Sequence, residues 1–169
     1  LLKNWFVLGR ENAHGIVNIS GGTFTRSDGG ALGDDPGNQT SIGDSSNNIG
    51  FVDQFNVSGT GQVNINTGEF WLGNFGGNAV LNMGTPAGAM TNADSTASLT
   101  VNNWFAIGRG GNGSGTVNLY DGTITQATAN WFDISGDGGS ATGTVNVYGG
   151  TLNAYQMYIG ENGSGTGTL

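Results

Sequence analysis

The sequence has no cysteine, one histidine, two prolines and only four Lys+Arg in 169 residues. The lack of cysteine excludes disulfides and thiolate metal sites. A single histidine, His14, excludes multi-histidine metal centres and leaves little for imidazole catalysis. Twelve Asp+Glu set the net charge at −8, the wrong sign for a protein that tracks nucleic-acid phosphates. Charged residues make up 9% of the chain, against an ordinary ~25%, which argues against most catalysts. Apolar runs end after four residues, at Trp5-Phe6-Val7-Leu8, far short of the ~20 that a membrane helix needs. No basic segment followed by an apolar one opens the sequence, and Gly163-Ser164-Gly165-Thr166-Gly167-Thr168-Leu169 stops inside a repeat. The expectation is a mature fragment or excised segment, with no membrane span.

What the chain does have is 34 Gly, 21 Asn, 18 Thr and 12 Ser, half of all residues. Leu, Ile, Val and Phe total 37, close to the ~20% boundary of disordered chains. Those chains are usually charged or proline-rich. Regularly placed β-branched and aromatic residues point instead to an ordered, thin core.

Internal repetition is the main signal. Asn4-Trp5-Phe6-Val7-Leu8-Gly9-Arg10 returns as Asn103-Trp104-Phe105-Ala106-Ile107-Gly108-Arg109 and as Asn130-Trp131-Phe132-Asp133-Ile134-Ser135-Gly136. Shorter copies are Glu69-Phe70-Trp71-Leu72-Gly73 and Gln156-Met157-Tyr158-Ile159-Gly160. A Gly/Asn/Ser turn follows each copy, then a second motif. Its clearest copies are Thr116-Val117-Asn118-Leu119-Tyr120 and Thr144-Val145-Asn146-Val147-Tyr148, preceded by Val17-Asn18-Ile19. Val63, Leu81, Leu99 and Val117 head related copies at equal steps of 18 residues, whereas Val117 to Val145 is 28.

With a period of two, each motif has two faces. Phe6/Leu8, Phe105/Ile107, Phe132/Ile134 and Met157/Ile159 read as inward, and Val7, Ala106, Asp133 and Tyr158 as outward. In the second motif Val117/Leu119 and Val145/Val147 read as inward, Asn118 and Asn146 as outward. No helical stripe is present, and Gly, Asn and Thr are poor helix formers. Short strands between Gly-rich turns at a period near 25 predict an all-β parallel β-solenoid, a β-helix, of about six irregular coils. Matching residues would stack ~4.8 Å apart, which disfavours charge ladders and favours Asn or Thr ladders. The whole of 1–169 reads as one solenoid segment. Residues 27–50 read as an insertion loop with a short strand near Ile42, and 86–94 as a shorter loop.

The pattern Asn-Trp-Phe-x-Ile-Gly-x-Gly-Gly-Asn-Gly-Ser-Gly-Thr-Val-Asn-x-x-x-Gly-Thr, clearest at 103–123, resembles bacterial surface and secreted β-strand-repeat proteins. These include autotransporter-type passengers and repeats of PEP-CTERM-anchored exoproteins. The likeness covers the repeat units, about two-thirds of the chain. It implies an extracellular or cell-surface solenoid acting as stalk, adhesin or matrix fibre.

Candidate sites are few. Asp34, Asp35, Asn38 and Asp44 are oxygen donors of the type Ca²⁺ takes, but their spacing matches no EF-hand. A solvated acidic loop is the expectation, with no cofactor and calcium as the alternative. Asp121, Asp133 and Asp137 would need carboxylate spacings of ~5–9.5 Å to cleave polysaccharide, with only Lys3, Arg10, Arg26 and Arg109 to assist. Thr23-Phe24-Thr25 and Thr123-Ile124-Thr125 are the pairs used by flat ice-binding ladders, interrupted at Thr151-Leu152-Asn153 and Glu69-Phe70-Trp71. Trp5, Trp104 and Trp131 recur at one repeat position, where Trp104 and Trp131 would contact a glycan or a partner, or cover a corner. Asn18, Asn38, Asn56, Asn112 and Asn162 fit the glycosylation acceptor pattern.

The expected function is structural, not enzymatic: a fibre or stalk built by axial, head-to-tail self-stacking. Its edges would be Leu1, Leu2, Trp5, Thr168 and Leu169, since Leu169 followed by Leu1-Leu2-Lys3-Asn4-Trp5 resembles the approach to Trp104. A glycan-binding adhesin domain is the alternative, a polysaccharide-degrading β-helix the third.

Overall fold

The computed structural model describes residues 1–27, 39–45, 50–86, 96–161 and 163–169. Every regular element among them is a strand, and none is a helix long and apolar enough to cross a membrane. The first coil contains β1 (Phe6–Arg10), β2 (Ile16–Ile19) and β3 (Thr23–Arg26); the second, β4 (Thr40–Asp44), β5 (Asp53–Val57) and β6 (Gln62–Ile65). The third contains β7 (Phe70–Asn74), β8 (Asn78–Met83) and β9 (Ser98–Val101); the fourth, β10 (Phe105–Arg109), β11 (Ser114–Leu119) and β12 (Thr123–Gln126). The fifth contains β13 (Trp131–Gly136), β14 (Thr142–Val147) and β15 (Thr151–Asn153), and the sixth β16 (Gln156–Ile159) and β17 (Thr166–Thr168).

Like strands stack in parallel into three sheets. Sheet I is β1-β4-β7-β10-β13-β16, sheet II is β2-β5-β8-β11-β14-β17 and sheet III is β3-β6-β9-β12-β15. The chain is a parallel β-solenoid of six coils. Its core is a set of vertical columns. Phe6, Thr40, Phe70, Phe105, Phe132 and Met157 are register partners on sheet I. Thr40 is the small member of that column, and at its level Phe55 reaches in from sheet II. The rings then run Phe6, Phe55, Phe70, Phe105, Phe132 with centroids 6.3, 6.0, 4.9 and 4.9 Å apart, all edge-on. Edge-to-face packing is the favoured geometry for aromatic pairs, so this spine stabilises the stack beyond the area it buries.

The corner after sheet I explains much of the glycine. Gly9, Gly43, Gly73, Gly108, Ser135 and Gly160 form one column, with φ between +66° and +73°. The next sheet passes tightly against them. A Cβ on Gly73 would lie 2.0 Å from the Ser114 carbonyl oxygen, and one on Gly108 2.2 Å from that of Thr142. Ser135 is the exception, and its hydroxyl donates to the Ala141 carbonyl at 2.8 Å.

The outward Asn residues of sheet II form the ladder expected of stacked amides. Asn56, Asn82, Asn118 and Asn146 each donate Nδ2 to the Oδ1 of the Asn one coil earlier, beginning at Asn18, at 2.8, 2.7, 2.9 and 3.0 Å. Each rung can bond both ways because an amide carries a donor and an acceptor.

Two readings of the sequence need correction, and a third is sharpened. The 18-residue series mixes two sheets: Leu81 and Val117 belong to sheet II, Val63 and Leu99 to sheet III. Shared alternation and similar turns made the two strand types look alike. Within 27–50 the short strand expected near Ile42 is β4, which supplies a complete rung of sheet I. Finally, Ala106 and Asp133 are buried, as is Ser41 at the same column. Large outward side chains on neighbouring rungs cover these positions.

Candidate functional site

The outward side of sheet I carries the densest chemistry. One column, just before each strand's first inward residue, holds Trp5, Gln39, Glu69, Trp104, Trp131 and Gln156. The next outward column holds Val7, Ser41, Trp71, Ala106, Asp133 and Tyr158. Beyond the glycine corner a third column runs Arg10, Asp44, Asn74, Arg109 and Gly136.

The aromatic members touch along the axis. Trp104 meets Trp131 at 5.9 Å and Trp131 meets Tyr158 at 5.8 Å, both edge-to-face. The Arg109 guanidinium stacks 4.1 Å from the Trp71 ring centroid and 5.0 Å from that of Trp104. Trp71 in turn donates its indole N–H to Glu69 at 2.5 Å. Cation–π contacts of this kind contribute about 0.5–2 kcal/mol, more where desolvated, and they hold Trp104 in place. Trp131 is 42% exposed. Asn103, Trp104, Asn130, Trp131 and Glu69 line a groove of about 360 Å³.

The third column alternates charge and amide. Arg10 lies 4.0 Å from Asp44, Asn74 donates to Asp44 at 2.9 Å and Arg109 donates to Asn74 at 3.3 Å. Arg109 also pairs with Asp137 at 2.6 Å. Opposite charges separated by an amide let charged residues stack without repulsion. Asp133 is 1% exposed, and neither of its carboxylate oxygens has a hydrogen-bond partner. Burial pushes its carboxyl from 3.8 up to about 7; the nearby charges of Glu161 and Asp137 push the same way, and Arg109 opposes them.

The sequence candidates distribute as follows. Asp44 is committed to the mixed column, while Asp34, Asp35 and Asn38 lie outside the described residues. Among the described residues no group of three or more His, Asp or Glu is placed to hold a metal ion. Asp121 sits at the corner between sheets II and III and accepts from the Gly122 N–H at 2.7 Å, away from Asp133 and Asp137. The two Thr pairs do share sheet III, and Glu69-Phe70-Trp71 belongs to sheet I, so it does not interrupt them; Gln62, Asn64, Ser98 and Asn153 do. Asn18 and Asn56 are rungs of the amide ladder, Asn112 is exposed in a turn, and Asn162 lies outside the described residues.

Trp104 and Trp131 come together, and Trp5 stands three coils from Trp104 in the same column. Leu2 bridges Arg26 and so begins a rung on sheet III beneath β3. Thr168 pairs with Thr144 on sheet II. Leu169 therefore ends on a different sheet from the one Leu1 and Leu2 enter, and the resemblance across that junction holds only on the Leu2 side. Sequence reasoning missed Glu69, Asn103 and Asn130. The signal was present, since Asn precedes Trp in all three full copies of the motif.

No family model matches the chain, and neither curated proteins nor solved structures give a match.

Proposed function

We propose that this chain is a structural solenoid segment that forms or extends a fibre or stalk by axial stacking of coils, at the cell surface or outside the cell. The observation that carries this is the continuity of three parallel sheets, the aromatic spine and the amide ladder from coil to coil, a stack that further coils can extend. At the C-terminal end Met157 and Ile159 are 37% and 49% exposed, whereas their register partners Phe132 and Ile134 are fully buried. Leu169 is 59% exposed. Sheets I and II reach the sixth coil there, but sheet III stops at β15. At the other end, Leu2 extends sheet III one step below β3.

A following coil set would lay its Leu2 rung on β15, its β1 on β16 and its β2 on β17. Each contact would cover exposed apolar side chains and pair open strand edges, which otherwise recruit strands non-specifically. The amide ladder and the aromatic spine would continue through such a joint. No chemical step belongs to this proposal; the solenoid works by stiffness.

Electron microscopy of the purified 169-residue chain tests it. Six coils at ~4.8 Å each predict an axial repeat of about 29 Å. Ile159→Lys should abolish filaments by placing a charge in the joint. Monodisperse monomers at high protein concentration would overturn the proposal.

A further inference from the structure

We propose that the groove lined by Glu69, Asn103, Trp104, Asn130 and Trp131 binds a neutral saccharide. It spans the third to fifth coils on the flank of the stack, so the proposal goes beyond axial stacking and does not depend on it.

The lining supplies the three things a sugar ring needs. Its apolar C–H face packs on aromatic rings, and Trp131 is both exposed and positioned. Trp131 is contacted by Trp104 from one rung and by Tyr158 from the next, so its indole is held before a ligand arrives. Preorganisation of that kind reduces the ordering entropy lost on binding. Sugar hydroxyls both donate and accept, and the paired amides offer both. Asn103 Oδ1 accepts from the Trp104 backbone N–H at 2.8 Å and from Asn130 Nδ2. That leaves Asn103 Nδ2 as a donor and Asn130 Oδ1 as an acceptor without a protein partner among the described residues.

Charge selects a neutral ligand. Glu69 and the net charge of −8 disfavour anions. Arg109 already occupies the cation position against Trp104, which disfavours cations. At about 360 Å³ the groove falls at the small end of ligand sites, which run ~300–1,000 Å³. Its lining runs over three successive coils, from Glu69 to Trp131, an extended arrangement that suits a short stretch of a polysaccharide.

The test is isothermal titration of the 169-residue chain with oligomers of glucose, of N-acetylglucosamine and of mannose, with quenching of Trp fluorescence as a second readout. Saturable binding to at least one is expected. Trp131→Ala and Asn130→Ala should each weaken it by about tenfold or more, a loss of ~1.4 kcal/mol. Tyr148→Ala, at the corner after sheet II, should leave it unchanged, and filaments should persist in all three variants. Two results would overturn the proposal: no saturable binding to any of the three oligomers, or unchanged affinity in both groove variants with the native circular dichroism retained.

Discussion

The Asp133 carboxylate lies over Gly136, in the space a side chain at residue 136 would fill: a Cβ built there would meet Oδ2 at 1.6 Å. Asp133 thereby occupies the fifth rung of the mixed column that starts at Arg10, by folding across from its own outward column. Gly136 is required so that the carboxylate can enter.

A pH dependence follows. The folded Asp133 carboxyl, at about 7 against 3.8, binds a proton in a range where the unfolded chain has released it. Its contribution to stability is therefore full below about pH 4 and lost as pH rises through about 7. Thermal melts should show the native chain losing stability across that window relative to Asp133→Asn, which keeps the shape and stays neutral. Asp133→Asn should be the more stable protein at pH 8. Parallel pH profiles for the two would contradict the assignment.

The amide ladder should respond by position. Asn82 makes two inter-rung bonds and Asn146 makes one. At about 0.5–1.5 kcal/mol per bond, Asn82→Ala should cost roughly 1–3 kcal/mol in urea melts and Asn146→Ala about half as much. Asn82→Asp should be worse than Asn82→Ala near neutral pH, because it removes the donor toward Asn56 and adds a charge. Equal losses at 82 and 146 would mean that the rungs act singly.

Two glycines with similar backbone angles should differ sharply. Gly108 and Gly138 have φ of +67° and +80°. Nothing lies within 4 Å of a Cβ on Gly138, whereas one on Gly108 meets the β14 backbone. Gly138→Ala should cost about 1–2 kcal/mol, the left-handed penalty alone. Gly108→Ala should cost about 3 kcal/mol or more, since β14 must also move. Chemical denaturation of the pair measures the difference directly.

The strands and the inward residues were legible because alternation and β-branching are local properties. Phe105, Ile107, Val117 and Leu119 all face the core as their period implies. The assignment of strands to sheets was not legible where coils have unequal lengths: Val63 and Leu81 obey the same local pattern yet belong to different sheets. The burial of Asp133 was hidden for another reason. It depends on Gly136 three residues later, whose missing side chain leaves room for the carboxylate, and outward alternation alone carries none of that. The groove was half visible, through the repeated Trp. Glu69 joins it only through register, because it stands where Trp5, Trp104 and Trp131 stand in the full copies.

Register partners of the first inward column of sheet I are separated by 34, 30, 35, 27 and 25 residues along the chain, yet the columns remain aligned. Thirteen residues connect β3 to β4, where four connect β12 to β13. Added chain length is thus absorbed between strands, and the rung spacing does not record it. The solenoid behaves like a ruler whose graduations stay fixed while its edge is decorated. A foreign peptide spliced between β3 and β4 should be displayed at a set height along the axis, and the same peptide moved to the β8–β9 connection should appear between one and two rungs higher, at a different corner of the stack.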